Sequence, residues 1–542
     1  MKSKLLLTGL AAVALTACGG GGDSGSSSAP PTATPAVTTK ITGTAAVGAA
    51  LPKVTVQAKC ASGSGTATTA DNGTFTVSID NAVRPCVLSA PAPDGTTLHS
   101  IVEAGAGTTP VANITPLTEL VLAALVKGDT NAFFAGFDAS AQSQLTPANV
   151  ATALAQISTI LSTVVNLSNT DPIKGQLVAA NGANAGNVLD QLLDRLAAQL
   201  AKAKTTLPEL IAAVSSNAGA PAIQTILKPA SAACAGLRTG DYLGATPVGV
   251  ATVRIDAATL AVTQLDSAGL VVAQSQLVPI ANEACRYSLS AQGLVSDVQM
   301  SPSGVMLVRN VANANNVRVL PNLLVPAQAL TLADLAGAWN GLGFEYDGQA
   351  FKPSRVTFTV DAAGKFTAGA DCTGLSSCSA WEELPTLSAA GGSGFALEDS
   401  QGTAYVAAFR GTDGLATAVV SSPNGIIIAS KQVVRPLPVV GTTNAYWDLT
   451  VFGDLSVQTA SASTTITAVN PATNAYTRTR NDGRVDTWTQ NKPVNGLRYR
   501  APSGDATARE ALSLTLGNTG VGVLIGLELA SQFYDISVNR PQ

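Results

Sequence analysis

The sequence predicts a multidomain, mainly β protein with one α-helical region: an N-terminal β-sandwich, a helical segment, and then repeated antiparallel β-meander or barrel-like units. Apolar residues alternate with polar ones in residues 38–110 and again from 231 onward, whereas in 111–230 they recur three and four apart. The chain has 542 residues, more than one hydrophobic core normally organises. Six of its seven cysteines fall in three neighbouring pairs along these units.

Residues 1–17 have the pattern of a signal peptide, with two lysines before an apolar run, Leu5 to Ala14, that is too short to span a bilayer. The next residues, Leu15-Thr16-Ala17-Cys18, resemble the lipobox of bacterial lipoproteins. The resemblance implies cleavage before Cys18 and attachment of lipid to that cysteine, so that acyl chains hold the protein on a membrane. Gly19 stands where an aspartate would favour the inner membrane, so we expect the outer membrane, on either face.

Residues 18–37 are predicted to form a flexible tether, because the glycine, serine and proline residues after Cys18 leave almost no apolar surface to bury. Without Lys2 and Lys4 the basic residues number 29 against 35 acidic ones, a formal charge of about −6. No cluster of lysine or arginine suggests a phosphate-binding stripe, so no nucleic-acid partner is expected.

Residues 38–110 read as the β-sandwich. Runs such as Val54–Ala58 and Thr74–Ile79 alternate in strand fashion, and Asp71-Asn72-Gly73 supplies a turn before the second run. The pattern resembles the transthyretin-like or carboxypeptidase-regulatory-like β-sandwich family. That resemblance implies a stalk, spacer or adhesive module rather than an enzyme.

Residues 111–230 are predicted to be helical. Thr115-Pro116 and Thr146-Pro147 each supply an N-cap followed by a proline at the first helical position, and a third helix begins near Asn187. Shorter helices are expected around Pro208 and Pro221. Their apolar stripes need each other or a sheet for burial, so we interpret them as core.

The remaining chain divides into three β units at 231–328, 329–436 and 437–542. The first two share a strand-turn-strand pattern in which Ser-Pro-x-Gly, at Ser301 and again at Ser422, makes the turn. Gly337-x-Trp339 near the start of the second unit resembles the opening of lipocalin-like barrels, which implies a tryptophan packed across a barrel end. Tyr446-Trp447-Asp448-Leu449 is expected to open the third unit.

Six cysteines remain after the lipidated one, and an even number indicates disulfides in an oxidising compartment. Fifteen pairings are possible, but only the sequential one keeps every bridge within one predicted unit. It joins the following residues: Cys60 with Cys86, Cys234 with Cys285, and Cys372 with Cys378.

The sequence indicates no catalytic site. His99 is the single histidine and is interpreted as a surface residue, so a Ser-His-Asp triad lacks its base. Glu382 and Glu383 are the one tight acidic pair beside an aromatic residue, but neighbours on a strand point to opposite faces. Asn481-Asp482-Gly483 with Asp486 hints at calcium, although a hairpin turn explains it better. No metal or other cofactor is expected.

Two functions follow from this reading. The first is a membrane-anchored, non-catalytic lipoprotein of the cell envelope that binds, scaffolds or displays, with an unidentified protein or small apolar ligand as its partner. The alternative is a lipocalin-like carrier of a small apolar ligand or lipid. Its cavity would be lined by the inward residues Val356, Phe358 and Val360. Hydrolysis by a carboxylate pair is the least favoured reading.

Overall fold

The computed structural model describes residues 37 to 541 except 183–184, 267, 292, 313–318, 392, 503–508 and 529–531. The signal peptide, Cys18 and all of the tether before Val37 therefore lie outside the described residues. Within them, the chain is mainly β with one helical region, as the sequence predicts.

Six antiparallel strands form two small sheets at the N-terminal end. They are β1 (Thr38–Thr44), β2 (Thr55–Ser62), β3 (Ser64–Thr68), β4 (Thr74–Asp80), β5 (Val83–Pro91) and β6 (Thr97–Val102). β1 pairs with β4, and the others pair in the order β3-β2-β5-β6. Apolar side chains such as Val56, Val77 and Leu88 pack in one core between the sheets. The two layers agree with the predicted sandwich.

The helical region follows directly. Its helices are α1 (Pro116–Val126), α2 (Thr130–Ala135), α3 (Ala139–Gln144), α4 (Pro147–Leu161), α5 (Val188–Ala203), α6 (Leu207–Ser215) and α7 (Ala220–Ile226). The caps expected at Thr115 and Thr146 are present, because each side chain accepts a hydrogen bond from a first-turn backbone N–H. Asn187 caps α5 in the same way. The short α2 and α3 were not predicted. Val87 and Ile101 pack with these helices, so the four-stranded sheet is covered on both faces.

The first β unit closes into a barrel of eight antiparallel strands. These are β7 (Gly240–Thr246), β8 (Gly249–Asp256), β9 (Ala261–Leu265), β10 (Val271–Pro279), β11 (Arg286–Ala291), β12 (Leu294–Met300), β13 (Met306–Ala312) and β14 (Asn322–Pro326). Strand β14 pairs with β7, and β9 with β10, so every strand has two neighbours.

The second unit is a sheet of nine strands preceded by the one-turn helix α8 (Leu332–Leu335). Its strands are β15 (Gly337–Tyr346), β16 (Phe351–Val360), β17 (Phe366–Thr373), β18 (Ser377–Ala380), β19 (Thr386–Ala389), β20 (Phe395–Asp399), β21 (Gly402–Arg410), β22 (Ala416–Ser422) and β23 (Gly425–Lys431). The strand order is β18-β17-β16-β15-β23-β22-β21-β20-β19, so β18 and β19 are its edges.

The lipocalin-like barrel expected in 329–436 is therefore not formed, and Trp339 does not close a barrel end. Instead the Trp339 ring stacks on Phe358, with centroids 6.0 Å apart, and Phe358 stacks in turn on Phe366 at 5.1 Å. Trp381 lies on the same cluster, 6.2 Å from Phe358, and packs directly over Gly369. The face on which we expected a ligand cavity is filled by aromatic side chains.

The third unit is again a closed barrel of eight antiparallel strands. They are β24 (Thr443–Val451), β25 (Val457–Asn470), β26 (Ala475–Arg480), β27 (Val485–Gln490), β28 (Leu497–Arg500), β29 (Ala511–Thr515), β30 (Val521–Gly526) and β31 (Tyr534–Asn539). β24 contains the predicted opening motif and pairs with β31 to close the ring.

One hydrophobic core joins the three β units. It contains Leu243 and Leu323 from the first barrel, Phe344 from the nine-stranded sheet, and Leu449 and Ile536 from the second barrel. Phe344 stacks on Tyr534 across the boundary with a centroid distance of 5.5 Å. The outer face of the C-terminal barrel is thus partly packed against its neighbour.

The three disulfides join the pairs that the spacing favours. Cys60 and Cys86 face each other across β2 and β5, and Cys372 and Cys378 across β17 and β18. Cys234 and Cys285 bridge segments at the ends of first-barrel strands. Structural disulfides persist in oxidising surroundings, which indicates an extracytoplasmic location for the folded part.

Candidate binding site in the C-terminal barrel

A cavity of about 800 Å³ lies in the C-terminal barrel. Its lining is dominated by polar side chains from the inward faces of the strands, including Asp448, Arg478, Arg480, Asp486, Arg498, Arg500, Ser513 and Asp535. Small-molecule sites commonly have volumes of roughly 300–1,000 Å³. The cavity is therefore large enough for an organic ligand.

The arginines reach the cavity because of strand alternation. Residues two apart on a strand share a face, so Arg478 and Arg480 of β26 point the same way, as do Arg498 and Arg500 of β28. The register places Arg478 opposite Asp486 of β27. Two Arg-x-Arg sequences on different strands thus converge inside one barrel.

Several of these arginine side chains form ion pairs with aspartates in the lumen. Asp486 accepts hydrogen bonds from Arg478, with Nε to Oδ1 at 2.7 Å, and from Arg500, with Nη1 to Oδ2 at 3.1 Å. Arg480 lies 3.5 Å from Asp448 through Nη1 and Oδ2. Burial acts to raise the pKa of Asp486, but the hydrogen bonds and charges of the two arginines outweigh it and hold that pKa below its usual value.

Trp488 lies among the arginines. Its side chain is fully buried, and the guanidinium carbons of Arg498 and Arg500 each lie 5.0 Å from its ring centroid, with that of Arg478 at 5.3 Å. Such distances allow cation–π attraction. Ile466, Tyr476 and Ala511 pack with this indole, so an apolar cluster adjoins the charged part of the lumen.

The other two aspartates in the lumen behave differently from Asp486. Burial raises the pKa of Asp448 to about 6, against the opposing charge of Arg480. Burial also raises the pKa of Asp535 well above its usual value, and the nearby charge of Asp448 adds to the shift. Thr450 donates a hydrogen bond of 2.7 Å to Asp535 Oδ2. The negative charge in the lumen is therefore smaller than the number of aspartates suggests.

The sequence reading missed this site. Five arginines occur between residues 478 and 500, yet the chain was judged to have no basic cluster. The available signal was the pair of Arg-x-Arg repeats in segments with strand periodicity, which places both arginines of each repeat on one face. Which face is enclosed depends on barrel closure.

His99 was also misassigned, because it is fully buried rather than on the surface. Its Nδ1 lies 2.8 Å from Glu119 Oε2, and its backbone N–H donates to the same oxygen at 2.6 Å. Thr130 donates to Glu119 Oε1 at 2.6 Å. His99 lies on the sheet face that the helices cover, which explains its burial.

The remaining candidate residues Glu382, Glu383 and Asp482 are not among those that line the cavity. Glu382 and Glu383 lie in the connection between β18 and β19, not on a strand as assumed, and Glu383 accepts hydrogen bonds from Ser400. Asp482 lies in a hairpin turn, and Arg480 N–H donates to Arg484 O across it. Among the residues that the structure describes, no group of three His, Cys, Asp or Glu side chains is placed to hold a metal ion.

In the described part of the chain, none of the helices combines the length and apolarity that crossing a membrane requires. No family model and no curated protein matches the sequence. Among solved structures, the chain is similar to a mutant of the vaccine antigen transferrin binding protein B (TbpB) from Haemophilus parasuis Hp5. The match has 9% identity and a TM-score of 0.18, and it covers 54% of this chain and 66% of that chain, slightly under two thirds of its length.

Proposed function

We propose that this protein is a non-catalytic lipoprotein of the cell envelope that binds a small polar molecule in the lumen of its C-terminal barrel. The 800 Å³ cavity lined by charged side chains carries the proposal. An apolar ligand on Val356, Phe358 and Val360 is not favoured, since aromatic packing occupies that face. Apolar cargo would also leave the arginines of the third unit without a role.

The anchoring part of the proposal depends on the sequence before Val37. The lipobox at Cys18 and the tether over 18–37 would hold the folded part near a membrane, with the outer membrane expected from Gly19. The N-terminal sheets, which resemble transthyretin-like modules, then serve as a spacer between the tether and the barrels. The disulfides support an envelope location.

The absence of catalysis is inferred from the lumen itself. A general base needs a titratable group near neutral pH that can reach the substrate. Asp486 is held ionised by two arginines, and Asp535 is buried with a hydrogen bond from Thr450. His99 lies in the N-terminal half, paired with Glu119. Asp448, whose pKa burial raises to about 6, is a lumen carboxylate that titrates near neutral pH, but it lies 3.5 Å from Arg480 Nη1 in an ion pair. We therefore favour a lumen that holds charge over one that moves protons.

The anchor is tested by replacing Cys18 with serine. We expect Cys18→Ser to abolish incorporation of labelled palmitate and to move the protein out of the membrane fraction, because the thiol is the acceptor of the lipid. The double variant Cys60→Ser with Cys86→Ser is the control, since it removes two cysteines that form a disulfide. Labelling that persists without Cys18 would contradict the anchor.

The lumen is tested by native mass spectrometry of the detergent-solubilised protein. We expect a bound small molecule that is lost in Thr515→Phe, because this side chain lines the cavity and a phenyl group would occupy ligand space. Thr459→Phe adds the same group to an exposed position on β25 and should leave the ligand bound. A ligand retained in both variants would place binding elsewhere.

A further inference from the structure

We infer that the ligand of the C-terminal lumen is a small organic anion bearing a carboxylate or phosphate group. The inference rests on the proposed function, because it names the ligand class for the same cavity. Arg498 lines the cavity, and its buried Nε–H has no hydrogen-bond partner among the described residues. The buried Nε1–H of Trp488, whose ring lies against the same guanidinium group, has none either.

Unpaired donors of this kind are costly in a protein interior, because they lose their hydrogen bonds to water without gaining others. Both groups are donors, so a molecule that satisfies them must supply lone pairs. Carboxylate and phosphate oxygens supply several, and guanidinium groups match their geometry. A neutral hydroxylated ligand would bring donors of its own into a site already rich in them.

The net charge of the cavity lining also favours an anionic ligand. Among the residues that the structure describes, six arginines and three aspartates line the cavity. Asp482 pairs with Arg484 at 2.6 Å and with Arg480 at 3.3 Å, and counting it still leaves a formal excess of two positive charges. Burial raises the pKa of Asp448 and of Asp535, which reduces the negative charge further.

The positive charge is concentrated beside Trp488. Three guanidinium groups lie within 5.3 Å of its ring centroid, and two of them, those of Arg478 and Arg500, pair with the same carboxylate, that of Asp486. Arg498 has no ion-pair partner in the described chain, and its Nη1 donates only to the Tyr476 hydroxyl at 2.8 Å. Like charges held this close repel each other strongly in a weakly screened interior. An anion at this layer would bridge Arg498 to its neighbours.

Arg498 is the residue on which to test the inference, since removing it leaves no carboxylate unpaired. Isothermal titration calorimetry on the full mature protein in neutral detergent and Tris chloride would use citrate and inorganic phosphate as probes, with glucose as the neutral probe. We expect at least one anion to bind, and Arg498→Gln to weaken it about 10- to 100-fold, the loss typical of a charge-assisted hydrogen bond.

Two further variants make the result specific. Arg498→Lys keeps the charge and should retain most of the affinity. Arg254→Gln removes a surface arginine of the first barrel, paired with Asp241, and should change nothing. Binding should weaken as potassium chloride is raised, because salt screens the attraction. Circular dichroism of each variant checks that the barrel is folded.

The possible outcomes separate the inference from the proposed function. Anion binding that depends on Arg498 supports both. A neutral molecule found in the lumen by native mass spectrometry, or glucose binding unaffected by Arg498→Gln, overturns the anionic ligand while keeping the binding function. If no ligand co-purifies and neither kind of probe binds, the proposed function falls, and the inference with it.

Discussion

Replacing Glu119 with alanine is expected to lower the free energy of unfolding of the N-terminal half by about 3–5 kcal/mol. The side chain is only 1% exposed and accepts hydrogen bonds from His99 N–H, from Thr130 Oγ1 and at His99 Nδ1. Alanine leaves these buried groups without their partner and adds a cavity between β6 and α1. Unsatisfied buried groups are among the few causes of such large losses.

Hydrogen exchange with mass spectrometry measures this effect where it occurs. All four tryptophans and all eight tyrosines follow residue 240, so intrinsic fluorescence reports on the β units alone. We expect the slowest amides of residues 97–126 to exchange on the order of 100- to 5,000-fold faster in Glu119→Ala, while the midpoint of unfolding followed by fluorescence does not change.

The matched control is Glu103→Ala. Glu103 belongs to the same half and pairs with Lys174, but the Lys174 side chain is 47% exposed. Ion pairs of this kind contribute at most about 1 kcal/mol, so exchange should change by less than about tenfold. Equal effects of the two substitutions would show that the Glu119 cluster is not a buried structural centre.

Replacing Trp339 with alanine is expected to destabilise the β units by about 3–5 kcal/mol, the range for truncating a large buried aromatic residue. Trp339 is 2% exposed and stacks on Phe358, and its Nε1 donates to Leu335 O at 2.9 Å. The substitution removes the centre of the aromatic cluster in the nine-stranded sheet. Because one core joins the three units, neighbouring barrels should lose stability as well.

Urea unfolding followed by the fluorescence of the remaining tryptophans measures the shift in midpoint. Trp381→Ala is the comparison, since Trp381 lies on the same cluster but is only half-buried. We expect a loss of about 1–2 kcal/mol there, in proportion to its smaller buried area. A loss for Trp339→Ala no larger than this would mean that the cluster tolerates the cavity.

Much of the fold was predictable because its signals are local. Thr115-Pro116 and Thr146-Pro147 mark helix starts through the chemistry of the first turn, and both helices begin there. Ser301 and Ser422 begin turns between paired strands. The cysteine pairs followed from sequence proximity within each unit. The lipobox at Cys18 is a local signal too, and it stays a prediction.

The binding site was not predictable in the same way. The alternation in Arg478-Thr479-Arg480 and Arg498-Tyr499-Arg500 shows that each pair shares a face, but not that β26 and β28 turn those faces toward one lumen. For His99, apolar residues on both faces of β5 and β6 were the signal that helices cover the second face.

The sequence by itself determined the order of the elements, their types, the turns and the pairing of the cysteines. Only the tertiary structure decided that 231–328 and 437–542 close into barrels while 329–436 stays an open sheet, and hence which side chains are enclosed. Strand periodicity depends on neighbours two residues apart. Closure depends on hydrogen bonds between strands that are distant in sequence, such as β24 and β31, more than 80 residues apart in their register. In 329–436 the first and last strands, β15 and β23, pair as well, but the edge strands β18 and β19 do not pair with each other, so that sheet stays open.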